Sequence, residues 1–475
     1  MNNVTDPFDL IVLGAGSGLD VASAAAEYGL KVAIIEKDRM GGTCLNRGCI
    51  PSKLLIHSAD IIETIKKADT FGIDVKEYSI DFSRIMKRVN GITDTDSDNI
   101  KKGLKESENP KLFAGKCKFI GYKKIAIRTN DKEEDKEQII TANKILIAVG
   151  SKPRIPKIKG LSEVDYISSD EALRLRKQPR ILTFIGGGYI ASELAHFFGN
   201  LGTEIHIIQR NNMLMPNEDK EISQKFTKIF SKKYNIYLGY TAESISKNED
   251  KESKNGEEPF KVVAKNSSGK VLEIKSDQIL VSVGRNPNTV DLNLDKTEVN
   301  VNENGFVIVD EYLETNVKGI FALGDVVGRY QFKHSANLEA QYAYNNILHP
   351  DKKIKVNYKA MPHAIFTSPQ IAGVGFTEQE LIKKGIQYAK STYPYIHTGM
   401  GEAIEDKEGF VKFLVDPKSR NILGCHIMGT DASILIHEVV VAMRTSDGTL
   451  DSITKTIHIH PALSEVVARA AGSIK

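Results

Sequence analysis

Two glycine-rich turns constrain the fold of this chain more than any other feature. The first, Gly14-Ala-Gly16-Ser17-Gly18, follows an apolar run and precedes a helical pattern and a second apolar run that ends at Glu36. The second, Gly186-Gly-Gly188-Tyr189-Ile190, repeats this order after Arg180 to Ile185. A strand, glycine turn, helix and strand at this spacing form the βαβ unit that binds dinucleotides. The repeat therefore predicts an α/β fold with two Rossmann-like dinucleotide-binding domains.

Individual residues of the first unit have distinct tasks. Gly14 permits the tight turn, Gly16 lets the backbone approach a pyrophosphate, and Glu36 lies at the spacing of a ribose partner. The third glycine position holds Leu19, which predicts looser or shifted packing of the helix on the strand, with Gly18 as a substitute. The alternative is a plain βαβ unit that has a glycine turn but binds no nucleotide.

The second unit bears on the choice of nicotinamide nucleotide. An acidic residue at the end of its second strand would bind the 2′-hydroxyl of NAD. The sequence has Gln209 and Arg210 there instead, and an arginine can bind a 2′-phosphate through two hydrogen bonds. This favours NADP or the use of both nucleotides. In the alternative, Gln209 binds the ribose of NAD and Arg210 is a surface charge.

Two cysteines, Cys44 and Cys49, lie just ahead of a helical pattern. Four cysteines in 475 residues are too few for a disulfide scaffold, and the pair lacks the nearby ligands that zinc requires. A redox pair is favoured over chance and over a metal site. Helical residues five apart are separated by about 7.5 Å of rise, beyond the ~6.8 Å Cα limit of a disulfide, so a bridge needs the bend that Gly48 permits. The helix start, Arg47 and Lys53 would lower the thiol pKa values.

Composition excludes several classes of function. Hydrophobic residues make up 41% and charged residues 26% of the chain, and the formal net charge of +3 gives no reason to expect a nucleic-acid or anionic-lipid partner. No run of about 20 apolar residues predicts a membrane span. Residues 1–7 lack the basic and then apolar pattern of a secretory signal, so the cytoplasm is predicted.

The stretch from Gly41 to Lys53, Gly-Gly-Thr-Cys-Leu-Asn-Arg-Gly-Cys-Ile-Pro-Ser-Lys, resembles the active disulfide of the pyridine nucleotide–disulfide oxidoreductases. Gly150 and Gly284, each after a buried strand, and Gly324-Asp325 are similar to further motifs of that family. The tail His458-Ile-His460-Pro-Ala-Leu-Ser-Glu465 is also similar. The resemblance covers nearly the whole chain and implies FAD, NAD or NADP, and a homodimer.

The resemblance also implies the division of the chain into segments. An FAD-binding domain is expected at 1–152, an NAD(P)-binding domain at 153–281, a returning FAD-binding or central part at 282–352, and an α+β dimerisation domain at 353–475. Within these, residues 54–105 are predicted to be mainly helical, Cys117 is predicted to be a buried structural thiol, and His458 is predicted to be structural. Helices are also predicted at 432–445 and 464–471, and solvated charged tips at 129–138 and 247–258.

Roles for the central residues follow from the same correspondence. In the family, reducing equivalents pass between the nicotinamide nucleotide, FAD and the cysteine pair. Cys49 would face the flavin and Cys44 would meet the substrate. Lys53 would form an ion pair with Glu193 beside the flavin ring, and Tyr189 would cover the flavin until the nicotinamide displaces it.

The remaining site residues are also implied by the resemblance. The histidine before the proline, His460, would come from the partner subunit as acid and base, and Glu465 would orient it. Glu36 and Asp325 would anchor FAD. The full set of expected cofactor-binding residues is Gly14, Gly16, Ser17, Glu36, Gly42, Thr43, Lys53, Gly115, Gly150, Asp325, Gly186, Gly188, Tyr189, Ile190, Gln209, Arg210 and Gly284.

The substrate is the least constrained part of the prediction. The tail from His458 to Glu465 is most similar to dihydrolipoyl dehydrogenase, which favours oxidation of dihydrolipoyl groups. The run Lys333-His334-Ser-Ala-Asn and the end of the tail also resemble mycothione reductase, so reduction of a low-molecular-weight disulfide of the mycothione or glutathione kind stays open. Mercuric reductase is disfavoured because no cysteine follows Cys425. Two further classes are an assembly subunit of a 2-oxoacid dehydrogenase complex and a flavin oxidase or diaphorase, which needs no cysteine pair.

Overall fold

A computed structural model describes residues 7–129, 137–247, 259–445 and 447–474. Most of the two predicted charged tips, at 129–138 and 247–258, therefore falls outside the described residues. Within the described ranges, no helix combines the length and apolar character needed to cross a membrane.

The first sheet is built around the strand that precedes the first glycine turn. Its parallel strands are β1 (Phe8–Leu13), β2 (Val32–Glu36), β3 (Lys111–Gly121), β5 (Glu137–Ile147) and β15 (Ile320–Ala322), in the order β3-β2-β1-β5-β15. The long strands β3 and β5 continue beyond this layer and pair antiparallel with β4 (Lys124–Thr129). The last four side chains of β1, from Leu10 to Leu13, are fully buried, and they alternate between two core clusters because successive strand residues point to opposite faces.

The second sheet repeats this plan. Its parallel strands are β7 (Ile181–Ile185), β8 (Glu204–Gln209), β9 (Asn235–Leu238) and β13 (Gln278–Val281), in the order β9-β8-β7-β13. An antiparallel meander again accompanies it, formed by β10 (Tyr240–Lys247), β11 (Phe260–Asn266) and β12 (Val271–Ser276). The short strands β6 (Ser151–Pro153) and β14 (Arg285–Pro287) pair antiparallel where the chain enters and leaves this part.

The C-terminal part is an antiparallel sheet with helices. Its strands are β16 (Pro362–Ile365), β17 (Gln370–Gly375), β18 (Ala389–Pro394), β19 (Phe410–Val415) and β20 (Ile422–Gly429), in the order β16-β17-β20-β19-β18. The predicted fold class, with two Rossmann-like parts and a C-terminal α+β part, is confirmed.

Thirteen α-helices are present in the described ranges. They are α1 (Gly18–Glu27), α2 (Gly42–Arg47), α3 (Cys49–Lys66), α4 (Phe82–Glu106), α5 (Ser169–Ala172), α6 (Tyr189–Asn200), α7 (Lys220–Lys233), α8 (Lys333–Leu348), α9 (Glu378–Lys384), α10 (Gly399–Ala403), α11 (Ala432–Thr445), α12 (Asp451–Thr454) and α13 (Glu465–Gly472). Residues 54–105 are mainly helical, as predicted, but in two helices, because α3 ends at Lys66 and α4 begins only after Asp81. The side chain of Asp81 caps α4 by accepting a hydrogen bond from the backbone N–H of Arg84 at 2.9 Å.

Candidate active site

The two glycine turns adopt the same backbone geometry. Gly14 has φ +103° and Gly186 has φ +105°. A Cβ on Gly14 would lie 2.5 Å from the carbonyl oxygen of Ala148, and a Cβ on Gly186 would lie 2.5 Å from that of Ser282. Only glycine fits this combination of positive φ and close backbone approach. The turns therefore leave the N-termini of α1 and α6 uncovered by side chains at this point, which is the geometry that a dinucleotide pyrophosphate requires.

Gly18 allows the close packing of helix on strand that the third glycine of the motif would otherwise provide. A Cβ on Gly18 would lie 2.8 Å from Cγ1 of Val12 and 2.9 Å from Cβ of Ala148, so α1 packs directly on the sheet at this position. Of the two predictions made from Leu19, the shifted contact through Gly18 is confirmed. Leu19 itself packs against the cluster between α1 and the sheet.

Two further residues, Gly42 and Glu36, contact the first glycine turn or the chain beside it. A Cβ on Gly42 would lie 2.7 Å from Cα of Gly16, so the chain that leads to the cysteines passes directly over the turn. Glu36 accepts hydrogen bonds from the backbone N–H groups of Ala15 at 2.8 Å and Asp38 at 2.9 Å. A glycine cradle with a carboxylate at the end of the neighbouring strand fits the adenosine half of FAD.

The other predicted FAD residues lie on separate elements. Asp325 accepts a hydrogen bond from Oγ of Ser151 at 2.6 Å, so the turn that follows β15 contacts β6. Oγ of Ser17 accepts from Nζ of Lys333 at 2.8 Å, at the start of α8. Gly115 is buried in β3, where a Cβ would clash with the backbone carbonyl of Arg128 on β4. The sheet itself therefore requires glycine at 115.

The cysteines lie on either side of a break between two helices. Helix α2 ends at Arg47, Gly48 has φ −146° and ψ −120°, and α3 begins at Cys49. A Cβ on Gly48 would lie 2.9 Å from the carbonyl oxygen of Thr43, so the bend depends on glycine. The predicted bend at Gly48 is confirmed, and it brings the free thiols of Cys44 and Cys49 close enough for each to shift the pKa of the other.

The two thiols have opposite acidities. The hydrogen bond from Cys44 lowers the pKa of Cys49 to about 7, against burial, which acts to raise it, and Lys53 also lowers it. The same hydrogen bond and burial raise the pKa of Cys44 well above the range of an ordinary thiol, so the predicted lowering is wrong for Cys44 and holds for Cys49. Cys49 is thus the member of the pair that carries the thiolate near neutral pH.

Lys53 and Glu193 meet as predicted. Nζ of Lys53 lies 2.9 Å from both carboxylate oxygens of Glu193, and it lies 4.5 Å from the ring centroid of Phe366. The backbone N–H of Phe366 donates to Oε1 of Glu193 at 3.0 Å. Packing of α3 on α6 positions the pair, through fully buried Leu55 and Ala59 on one side and Ala195 and Phe198 on the other.

The two residues predicted to select the nicotinamide nucleotide, Gln209 and Arg210, differ in exposure. Gln209, at the end of β8, is buried and its Nε2 donates to the carbonyl oxygen of Met213 at 3.3 Å. Arg210 is exposed beside it. Gly188 precedes α6, which begins at Tyr189, and a Cβ on Gly188 would meet open space. Arg210 is therefore the one of the two side chains that reaches the surface.

Tyr189 has a partner that the sequence did not reveal. Its hydroxyl donates to Oε1 of Glu218, and Oε2 of the same carboxylate lies 2.7 Å from Nε2 of His363 on β16. Burial and the negative charge of Glu218 raise the pKa of Tyr189 far above its ordinary value. Sequence periodicity offers no signal for this contact, because it depends on the docking of the second sheet on the C-terminal part.

The tail forms two histidine–carboxylate pairs. Nδ1 of His460 lies 3.0 Å from Oε1 and 3.1 Å from Oε2 of Glu465, and the imidazole side chain is 75% exposed. The hydrogen bond from His460 lowers the pKa of Glu465. Nε2 of His458 lies 2.5 Å from Oε1 of Glu438 on α11, which agrees with its predicted structural role. Glu465 thus holds the imidazole of His460 from behind while the other ring nitrogen faces outward.

The other two cysteines lie apart from this pair. Cys425 is fully buried, and Cys117 is half-buried rather than buried as predicted. Burial nevertheless raises the pKa of Cys117 to about 12, so its thiol is unreactive. Among the described residues, no group of three or more His, Cys, Asp or Glu side chains is arranged to hold a metal ion.

Comparison with protein families agrees with this geometry. Residues 8–340 match the model of the pyridine nucleotide-disulphide oxidoreductases, and residues 361–471 match the dimerisation domain of the same proteins. The chain belongs to the pyridine nucleotide-disulphide oxidoreductase family. The family uses FAD and NAD(P)H, as the sequence predicted, and the C-terminal part of this oxidoreductase is its dimerisation domain.

Relatives with different substrates are about equally similar to this oxidoreductase. Dihydrolipoyl dehydrogenase of Chlamydia muridarum is 34% identical over 98% of this chain and 97% of its own length. Mycothione reductase of Mycobacterium tuberculosis is 33% identical over 98% of this chain and 99% of its own. Among solved structures, the HOCl-induced flavoprotein disulfide reductase RclA of Escherichia coli has a TM-score of 0.85 and 26% identity, covering 98% of this chain and all of that one.

Proposed function

We propose that the protein is a dihydrolipoyl dehydrogenase, which oxidises dihydrolipoyl groups with NAD+ or NADP+ through a Cys44–Cys49 disulfide. The observation that carries the proposal is the pair of free thiols, Cys44 and Cys49, brought together by the bend at Gly48, combined with an exposed imidazole, His460, held by Glu465. Similarity of the tail around His460 to dihydrolipoyl dehydrogenase, and the relatives of that name, support a dithiol as the substrate.

Thiol–disulfide exchange assigns a role to each sulfur. A substrate thiolate attacks Sγ of Cys44, the Cys44–Cys49 bond breaks, and Cys49 leaves as a thiolate. Cys49 is the favoured leaving group because its pKa is lowered, and a thiol of lower pKa leaves faster. The second substrate thiol then attacks the mixed disulfide, which releases Cys44 and the cyclic lipoyl disulfide.

His460 has the proton-transfer task in this scheme. Each attacking sulfur must lose a proton, and an imidazole is a suitable acceptor near neutral pH. Glu465 fixes Nδ1 of the imidazole, so the free ring nitrogen exchanges the proton with substrate and with Cys44. Because the imidazole is exposed on the dimerisation domain, we propose that it serves the cysteines of the partner subunit.

The cofactors would be held by the two glycine turns. FAD, when bound, supplies the two-electron link between the reduced cysteine pair and the nicotinamide. Lys53, paired with Glu193, would lie beside the flavin ring, and Tyr189 would cover the ring. The residues proposed to hold the two dinucleotides are those predicted above from the sequence, and the proposed domain boundaries stay at 152, 281 and 352.

A second candidate is an NADPH-dependent reductase of a low-molecular-weight disulfide. It is favoured by Arg210, whose exposed guanidinium replaces the acid that NAD-binding units carry at this point. Mycothione reductase among the relatives supports the same alternative.

Steady-state rates separate the two candidates. Purified holoenzyme is assayed with dihydrolipoamide and either NAD+ or NADP+, and in reverse with NADH or NADPH against lipoamide, oxidised glutathione and a mycothiol-like disulfide. The proposal expects a kcat/KM for dihydrolipoamide at least about tenfold above that for any other thiol substrate, corresponding to ~1.4 kcal/mol of transition-state discrimination. A higher kcat/KM with NADPH and another disulfide would replace it by the second candidate.

A further inference from the structure

Three side chains form a hydrogen-bonded chain from the second glycine turn to the dimerisation domain. The hydroxyl of Tyr189 donates to one oxygen of Glu218, and Nε2 of His363 donates to the other at 2.7 Å. The side chain of Glu218 is 1% exposed and that of His363 is 19% exposed. A carboxylate is expensive to bury, and these two donors are the partners that satisfy it.

Glu218 is fixed in place independently of Tyr189. Its backbone carbonyl accepts a hydrogen bond from Nε2 of Gln379 at 2.7 Å. The next residue, Asp219, caps α7, accepts from the N–H of Glu378 at 3.0 Å and lies 2.8 Å from Nζ of the fully buried Lys412. The segment that carries Glu218 is therefore anchored to β19 and α9 of the dimerisation domain.

Charges around Glu218 keep it ionised. Burial acts to raise the pKa of Glu218, but the charge and hydrogen bond of His363 and the hydroxyl of Tyr189 outweigh it, so the pKa is lowered. Burial acts to lower the pKa of His363, and Glu218 more than compensates, so it is raised. The tyrosine hydroxyl thus donates to a carboxylate, which is a stronger interaction than a hydrogen bond between neutral groups.

We propose that Glu218 and His363 are positioning residues that hold Tyr189 over the nicotinamide site and thereby set the affinity for the nicotinamide nucleotide. The inference rests on the proposed function of Tyr189 as a cover. A nucleotide that displaces the tyrosine must break its bond to Glu218, so this bond opposes binding. Weakening the bond should tighten nucleotide binding without any new contact to the nucleotide.

Equilibrium titration of the oxidised holoenzyme with NAD+ and NADP+, and of the reduced holoenzyme with NADH, measures this effect directly. Tyr189→Phe removes only the hydroxyl, and Glu218→Gln keeps the shape of the side chain but replaces the charge. Both variants should lower the Kd of the nucleotide, by about tenfold for Tyr189→Phe, as expected for loss of a hydrogen bond to a charged group. The double variant Tyr189→Phe/Glu218→Gln should go no further than Tyr189→Phe alone, because both changes remove the same bond.

Tyr388 offers a matched control. Its hydroxyl donates to Oε1 of Glu378 at 2.7 Å, so Tyr388→Phe removes another tyrosine–carboxylate bond in the same region without touching Tyr189. This variant should leave the Kd within twofold of the wild type. The proposal is overturned if Tyr189→Phe leaves the Kd unchanged or raises it, if the effects of Tyr189→Phe and Glu218→Gln add, or if Tyr388→Phe has the same effect. Nucleotide affinity is measured without any dithiol, so failure of the dihydrolipoamide assay would not be mistaken for failure of this inference.

Discussion

Lys53 and Glu193, which are 140 positions apart in the sequence, form an ion pair in which Nζ lies 2.9 Å from both carboxylate oxygens. The pair joins the helix that begins at Cys49 to the helix that begins at Tyr189. Because Phe366 of the dimerisation domain also donates to Glu193, three parts of the chain meet beside the cysteines.

Lys53→Met should raise the pKa of Cys49 above its value of about 7. The charge of Lys53 is one of the influences that lower this pKa, and an opposite charge within a few ångströms shifts a pKa by about one unit or more. The measurement is the pH dependence of iodoacetamide alkylation of the reduced protein, read on the peptide that contains Cys49. Lys53→Arg is the control, since it keeps the charge. An unchanged alkylation profile in Lys53→Met would contradict the assignment.

Cys44→Ser and Cys44→Ala should both abolish dithiol turnover while FAD stays bound, because no second sulfur remains for exchange. They should differ in the acidity of Cys49. The hydrogen bond from Cys44 is the largest influence that lowers the pKa of Cys49, and a serine hydroxyl can still donate whereas alanine cannot. Alkylation of Cys49 should therefore titrate at a higher pH in Cys44→Ala than in Cys44→Ser. Full dithiol turnover by either variant would exclude the proposed exchange.

The fold was predictable from the sequence because its main signals are local. Gly14 and Gly186 predicted two equivalent turns, and both have the same positive φ and the same backbone approach. Gly18 and Gly48 likewise predicted a helix contact and a bend that lie within a few residues of them in the chain. Helix α11 has the predicted bounds, Ala432–Thr445, because its apolar face repeats with helical period.

The parts of the site that the sequence missed depend on long-range docking. Glu218 and His363 are 145 positions apart, and each is an ordinary polar residue in its own segment. The contact between Phe366 and Glu193 was missed for the same reason, because it is the docking of the dimerisation domain that brings the N–H of Phe366 to Glu193. Gly115 shows the opposite case, where a glycine expected at the cofactor is required by the pairing of two strands.

The assignment of His460 to the partner's cysteines predicts the behaviour of mixed dimers. Cys44→Ser and His460→Gln homodimers should each be severely impaired. A heterodimer of the two, purified through two different tags, should recover about half the wild-type activity, because one of its two sites then has both intact residues.

A matched heterodimer of wild-type and doubly substituted Cys44→Ser/His460→Gln subunits serves as the control. If the histidine acts across the interface, each of its sites carries one defect and the dimer is inactive. Half activity in this control, with none in the first heterodimer, would place His460 at the cysteines of its own subunit.

Arg210→Ala should reduce the use of NADP(H) and leave that of NAD(H) nearly unchanged. The guanidinium is exposed at the end of β8, and its favourable contact would be with a 2′-phosphate that NAD lacks. We expect kcat/KM for the phosphorylated nucleotide to fall about tenfold, as for loss of a charge-assisted hydrogen bond. With the phosphorylated nucleotide, the kcat/KM of Arg210→Lys should lie between those of Arg210→Ala and the wild type, because lysine keeps the charge but not the two-point geometry. Equal losses with both nucleotides would mean that Arg210 does not read the phosphate.

Glu63 links three parts of the chain and should make stability depend on pH. Its carboxylate lies 2.8 Å from Nζ of Lys67 and 3.0 Å from Nζ of Lys233, and it accepts a hydrogen bond from Oγ of Ser368 at 2.8 Å. Burial acts to raise the pKa of Glu63, but the two lysines outweigh it and bring it from 4.5 to about 2. A carboxyl whose pKa is lower in the folded state stabilises the fold above its unfolded pKa and loses that contribution as the pH falls toward the folded pKa.

Glu63→Gln should therefore lose about 3 kcal/mol of pH-dependent stability at pH ~7, and the difference from the wild type should shrink between about pH 4.5 and 2. Chemical denaturation at a series of pH values measures it. Glu106→Gln is the control, because Glu106 lies in an exposed pair with Lys102 at 3.9 Å, and such pairs contribute little. A difference between Glu63→Gln and the wild type that is the same at about pH 3 as at neutrality would show that the lysines do not depress the pKa of Glu63, since only a titrating carboxylate can make the difference vary with pH.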